Sequence, residues 1–162
     1  MQAAKLVFES GVPLTMVPLE VTHTALVTPE VRRRILSPPG GPTPFLDAIC
    51  ALLLFFAETY RAVFNFVDPP LHDPCAVAFI VAPELFTVER LNVEIETCSR
   101  LSAGQTVVDV WRQTGRAPNV DVCTAMDVSS FWDLMIAAIH AASASAERRN
   151  AASAPGHGAA EN

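Results

Sequence analysis

Leu71-His72-Asp73-Pro74-Cys75-Ala76-Val77-Ala78-Phe79-Ile80-Val81 reads as a loop that closes onto an apolar helix. Asp73 can cap that helix, and Pro74 suits its first position because the missing proline N–H is not needed there and its φ is already helical. The apolar run carries the helix to about Pro83. Upstream, a longer apolar helix spans Phe45 to about Phe66, with an unbroken apolar core from Ala48 to Ala57 that suits burial. Asp68-Pro69-Pro70 ends it, since the residue before a proline is driven out of helical geometry. Downstream, Leu91, Val93 and Ile95 alternate with Asn92, Glu94 and Glu96, the period of a half-buried strand. Helices and strands interleaved in this way point to an α/β layered domain.

The flanks extend the pattern. Gln2 to Ser10 reads as the tail of a helix stopped at Gly11, and Leu14 to Val21 as a strand with Pro18 near its end or on an edge. Thr28-Pro29-Glu30 has the form of a helix start. Thr106 to Trp111 and Asn119 to Ala125 read as two further strands. Asp127 or Ser129 caps a last amphipathic helix carrying Phe131, Trp132, Leu134, Met135 and Ile139. The foldable part is placed at 1–141, and residues 142–162, rich in Ala, Ser, Gly, Pro and charge, read as a disordered tail.

Composition excludes several classes. With 51% apolar and 17% charged residues, a packed core is expected. The net charge is −6, and the one basic cluster, Arg32-Arg33-Arg34, suits a solvated helix face, so nucleic acid is not an expected partner. No segment is long and apolar enough for a membrane span, and the first residues do not form a signal peptide. Cys50, Cys75, Cys98 and Cys123 are widely spaced, which gives neither a zinc site nor a disulfide framework and fits reduced thiols in a cytoplasmic setting. There is no glycine-rich phosphate loop and no G-x-S-x-G elbow, and Asp109, Asp121 and Asp127 lack metal-loop spacing.

One local constellation carries chemistry. In His72-Asp73-Pro74 the aspartate sits at the positive end of a helix dipole and stays ionised, free to offer an oxygen to a hard cation. The histidine before it projects from the loop toward whatever such a cation would hold. His23 suits a hydrogen-bonded structural side chain, Tyr60 a rim aromatic, and His140 and His157 no role in the site.

Several stretches, in order, resemble the inosine-uridine-preferring nucleoside hydrolases. They are Ser10 to His23, Leu71 to Ala78, Asn92 to Glu96, Thr106 to Asp109, and Phe131-Trp132 with the helix that follows. The resemblance implies the C-terminal part of an open, mostly parallel, Rossmann-like sheet flanked by helices, with the N-terminal strands missing. It also implies hydrolysis of the N-glycosidic bond of ribonucleosides to ribose and free base, with Ca2+ as cofactor. His72 takes the place of the acid near the leaving base, Asp73 that of a calcium ligand, and Tyr60, about one residue out of spacing, that of the tyrosine lining the base pocket.

The departures are as informative. The family's N-terminal cluster of the type Asp-x-Asp-x-x-x-Asp-Asp is absent, as is the asparagine- and glutamate-bearing segment that binds ribose and would precede Met1. One carboxylate cannot satisfy a cation that takes about six to eight oxygens, so tight calcium binding and catalysis by this chain alone are not expected. The alternative is a non-catalytic truncated paralogue that pairs with a second copy or with an N-terminal half through exposed sheet edges.

Overall fold

Threonine hydroxyls start two helices. Thr28 accepts the Val31 amide at 3.2 Å to open α3 (Pro29–Ile35), and Thr43 accepts the Leu46 amide at 3.3 Å to open α4 (Pro44–Phe64). In each, proline follows the cap and occupies the first turn, where it costs no hydrogen bond. α4 stops at Asn65, whose φ of 58° lets its N–H and that of Phe66 satisfy carbonyls of the last turn.

The computed structural model describes residues 1–153. They divide into two units: Met1–Ala25 with Leu71–Val128, and Leu26–Pro70 with the residues from Ser129 onward. The first unit holds α1 (Gln2–Glu9), β1 (Thr15–Met16), α2 (Leu19–Thr22), α5 (Asp73–Val81), β2 (Phe86–Leu91), β3 (Val93–Ile95), β4 (Thr106–Val108) and β5 (Val120–Met126). The second holds α3, α4 and nearly all of α6 (Val128–Ser153).

The first unit is α/β with a mixed sheet. β5 lies in the middle, parallel to β1 through Thr15↔Asp121 and Met16↔Val122, and antiparallel to β2 from Phe86↔Met126 to Leu91↔Val120. β3 and β4 form a separate antiparallel hairpin. Leu91, Val93, Val120 and Val122 make a buried cluster, packed by Phe8, Leu14, Met16 and Val108. The alternation read from the sequence holds in β3, where Val93 and Ile95 are buried and Glu94 is exposed.

Four local expectations change. The strand expected to Val21 is only Thr15–Met16, because Pro18 has no N–H for a ladder and its carbonyl instead accepts the Val21 and Thr22 amides of a helical turn. The strand expected from Leu91 to Glu96 breaks at Asn92. There Asn119 clamps Val93, accepting its N–H at 2.8 Å and donating to its carbonyl at 3.0 Å, so the chain passes from one sheet to the other. β2 carries its charged residues without clean alternation, which hid it in the sequence. β4 ends at Val108 because the Asp109 carboxylate caps a turn, accepting the Gln113 and Thr114 amides at 2.9 Å each.

Two larger corrections concern the second unit. α4, expected to be buried, covers only Leu46 and Cys50 fully and leaves Phe55 64% and Phe64 60% exposed. Its unbroken apolar stretch from Ala48 to Ala57 has no polar face to turn outward, so its unpacked side stays open. The tail expected to be disordered from residue 142 is helical to Ser153: alanine favours helix, and the buried Ser143 hydroxyl meets that of Thr43 at 2.7 Å. Residues 154–162 of that expectation lie outside the described residues.

Candidate functional site

The chain returns to α2 just before α5 begins. The Leu71 amide donates to the Ala25 carbonyl at 2.9 Å, which lays the Leu71-His72 backbone along the end of α2. His72, not Asp73, holds the N-cap position of α5, and its backbone is helical (φ −96°, ψ −70°). A cap side chain normally needs an extended backbone to reach back to the first amides, and the His72 side chain makes no such bond. Its Nδ1 lies instead 2.7 Å from Oγ1 of Thr22, which is 3% exposed. The His23 ring stands edge-on to the His72 ring, with centroids 5.3 Å apart. Burial lowers the His72 pKa from the ordinary imidazole value, and the neighbouring His23 lowers it further, while Asp73 opposes both.

Asp73 is an exposed residue in the first turn of α5, where its charge complements the helix dipole. One turn on, buried Cys75 donates its thiol to the Leu71 carbonyl at 3.1 Å, and its amide donates to the His72 carbonyl at 3.0 Å. Burial pushes the Cys75 thiol up to about 11, so it is a packing group and not a nucleophile. Tyr60 belongs to the second unit, on the last turn of α4. It is half-buried, with its ring centroid 5.3 Å from that of Phe64 and 6.1 Å from that of Phe66.

Among the described residues no three His, Cys, Asp or Glu side chains converge to hold a metal ion. Asp73 alone does not fit calcium, which takes about six to eight oxygens. A larger cavity, about 710 Å³, opens beside β3 and β4, lined by Lys5, Glu94, Glu96, Asp109 and Arg116 among others. Its carboxylates are already engaged. Glu94 pairs with Arg116, Glu96 accepts the Cys98 and Ser99 amides, and Asp109 accepts the Thr114 hydroxyl and amide. These bonds hold the Glu96 and Asp109 carboxyls below their ordinary pKa values. The cavity lies against a braced hairpin loop.

The structure therefore joins His72 to Thr22 and His23, sets Asp73 on the exposed first turn, and carries Tyr60 in an aromatic group on α4. Sequence reasoning gave Thr22-His23 only a structural role. The one signal that could have found Thr22 was the presence of two histidine-bearing segments, each beside a helix end. None of the three Arg32–Arg34 side chains is left over for a phosphate: Arg32 donates to the Val27 carbonyl, Arg33 pairs with Glu30, and Arg34 pairs with Asp133.

Residues 1–133 match the model of a family described as inosine-uridine preferring nucleoside hydrolase. The chain is 49% identical over 141 residues to a "probable ribonucleoside hydrolase" of Dictyostelium discoideum, covering 85% of this chain and 42% of that protein. It is 40% identical over 136 residues to the pyrimidine-specific ribonucleoside hydrolase RihA of Shewanella baltica, covering 83% of this chain and 42% of that protein. Among solved structures, the purine-preferring ribonucleoside hydrolase from Gardnerella vaginalis superposes with a TM-score of 0.70 at 27% identity, covering 86% of this chain and 43% of that one. The chain thus spans less than half the length of the relatives it matches.

Proposed function

The chain belongs to the inosine-uridine preferring nucleoside hydrolase family, and from that premise we propose that its residues serve hydrolysis of the N-glycosidic bond of ribonucleosides. In that reaction the bond between C1′ and the base nitrogen breaks with its electron pair leaving on the base. Water supplies hydroxide to C1′ and a proton to balance the base, giving ribose and free base. The observation that carries the reading is the His72 imidazole held at a helix start, 2.7 Å from a buried hydroxyl and directly before Asp73.

In this reading His72 hands a proton to the departing base, a contribution worth roughly 10²–10⁴-fold. Tyr60 supplies an aromatic face for the base. Asp73 offers one oxygen to a calcium ion that, when bound, would orient ribose hydroxyls and acidify water. Because one carboxylate does not make that site, the chain by itself is proposed to bind calcium weakly and to turn over little. The relatives' printed preferences, pyrimidine in one and purine in another, support no choice of base here. The four free cysteines support a reducing, cytoplasmic setting. Among the described residues no helix is long and apolar enough to cross a membrane.

The test is a graft. Residues 1–141 replace the matching segment of the Dictyostelium discoideum relative, and turnover of inosine and uridine is compared with that of an activated aryl riboside. Retained turnover that His72→Ala removes for the nucleosides, but spares for the aryl riboside, is the expected result. A graft in which His72→Ala slows both substrates equally ends the acid assignment, because an activated leaving group needs no proton.

A second reading, an assembly role without catalysis, draws on the exposed apolar side chains of α4 and on Ile80 of α5, 80% exposed. Such surface would let the chain pair with a second copy or with an N-terminal half. Light scattering of the purified chain tests it: a concentration-independent monomer ends the self-association form.

A further inference from the structure

Thr22 is the last residue of α2 and His23 its C-cap, and both reach the side chain of His72. Thr22 Oγ1 lies 2.7 Å from Nδ1, and the His23 ring stands edge-on to the His72 ring, with centroids 5.3 Å apart and 61° between the planes. The two contacts restrain different things. The torsion that turns an imidazole about its Cβ–Cγ bond has a broad well, so neighbours and not the backbone decide the ring plane. Nδ1 lies close to that axis. The Thr22 contact therefore keeps within hydrogen-bond reach over a range of ring angles, whichever group donates. A second ring packed at a steep angle narrows that range, because edge-to-face pairs have a preferred separation and orientation. The backbone is anchored on both sides: the Leu71 amide donates to the Ala25 carbonyl at 2.9 Å, and the His23 amide to the Leu19 carbonyl at 2.8 Å. His23 is exposed, so its ring is not there to fill a core. Water screens a charge at such a position, whereas ring contact is indifferent to salt.

We propose that His23 is a positioning residue for the hydrolytic reaction: its ring packs against that of His72 and fixes the plane in which the His72 imidazole meets the leaving base. The role belongs to the shape of the ring and not to its charge. A proton donor works only when it lies within about 2.6–3.2 Å of the accepting atom and points along the line to it, and a tilted ring misses that line. A misplacement of about 1 Å can cost about 10²-fold in rate. The proposal deepens the hydrolase reading and rests on it for what the ring plane is used for, while the hold of His23 on the ring does not depend on turnover.

The first experiment uses the whole chain with ¹³C-labelled histidine. Relaxation of the His72 ring carbons is expected to give order parameters near the rigid value of about 0.85 in the wild type and in His23→Phe, falling toward about 0.6 or below in His23→Ala. A wild-type ring that is already mobile, or one that stays rigid in His23→Ala, overturns the proposal. Cross-relaxation between the ring protons of His23 and His72 is expected in the wild type, and its absence ends the proposal without any variant. In the graft described above, His23→Ala should lower kcat for inosine and uridine by about tenfold or more, within the range a general acid supplies. KM and the aryl riboside rate should stay near their parent values, and His23→Phe should recover most of the nucleoside rate. Equal losses on both substrates, or recovery by His23→Gln but not by His23→Phe, overturn the positioning role. A ring that His23 holds rigid, together with a His72→Ala graft that does not discriminate leaving groups, would keep the hold of His23 and remove the acid reading alone.

Discussion

In the first unit His72 meets the Thr22 hydroxyl at 2.7 Å through Nδ1, and in the second His140 meets the Ile35 carbonyl at 2.9 Å through Nε2. A carbonyl has no proton to give, so His140 can only donate, and its Nε2–H is committed to joining α6 to the end of α3. A hydroxyl can donate or accept, so the state of His72 is set by its neighbour's other bonds. His72 also stands beside a carboxylate at a helix start and edge-on to a second imidazole. Two half-buried histidines with equally good hydrogen bonds thus differ in kind: one is held by a backbone carbonyl, the other by a side-chain hydroxyl beside a second imidazole.

The largest effect that tests this contrast is at Asp73. In the graft, Asp73→Ala should abolish calcium-dependent turnover, read as activity against calcium concentration; unchanged turnover removes Asp73 from any metal shell. Next, His72→Ala should slow purine nucleosides by roughly 10²–10⁴-fold, with much less loss on an aryl riboside. His140→Ala is the counterpart. It should cost about 1 kcal/mol of stability in urea unfolding, the net value of a typical hydrogen bond, and leave graft turnover unchanged. Were it to match His72→Ala in turnover, the contrast would collapse.

The smallest effect separates the units by alkaline pH. Burial pushes Cys75 and Cys123, both in the first unit, to about 11, and Cys123 is raised further by Asp121. In the second unit Cys50 is also raised by burial, with Arg32 opposing. A thiol whose folded pKa exceeds its unfolded value keeps its proton longer in the folded state. It therefore adds stability that declines as pH rises from about 9 through about 11. Thermal unfolding between pH 8 and 11 should show that decline, and Cys75→Ala should lessen it. Iodoacetamide at pH 8 should modify exposed Cys98 first and reach Cys75 and Cys123 only on unfolding.

Much of the fold was legible one element at a time. The Thr28 cap, the Pro74 helix start, the β3 alternation and the β5 strand all appear where their residues place them. The misreadings share a cause. Leu14 to Val21 has strand composition, yet Pro18 has no N–H to give a ladder and its carbonyl starts a helical turn instead. The Leu91 to Glu96 strand breaks at Asn92 because Asn119, far along the chain, clamps Val93. The apolar character of α4 announced burial, but whether a face is covered depends on what packs against it.

The site divides along the same line. His72-Asp73-Pro74 was visible because a first-turn proline and a charge at a helix dipole are interactions among neighbours, governed by local sterics and short-range electrostatics, although the cap expected of Asp73 fell to His72, which makes no side-chain cap bond. Family membership followed from the order of several such stretches. The meeting of Thr22 with His72 was decided only in three dimensions, where the Leu71–Ala25 backbone bond returns the chain to α2. A hydroxyl's direction depends on every acceptor within its reach, and nothing local to Thr22 names an imidazole 50 residues away.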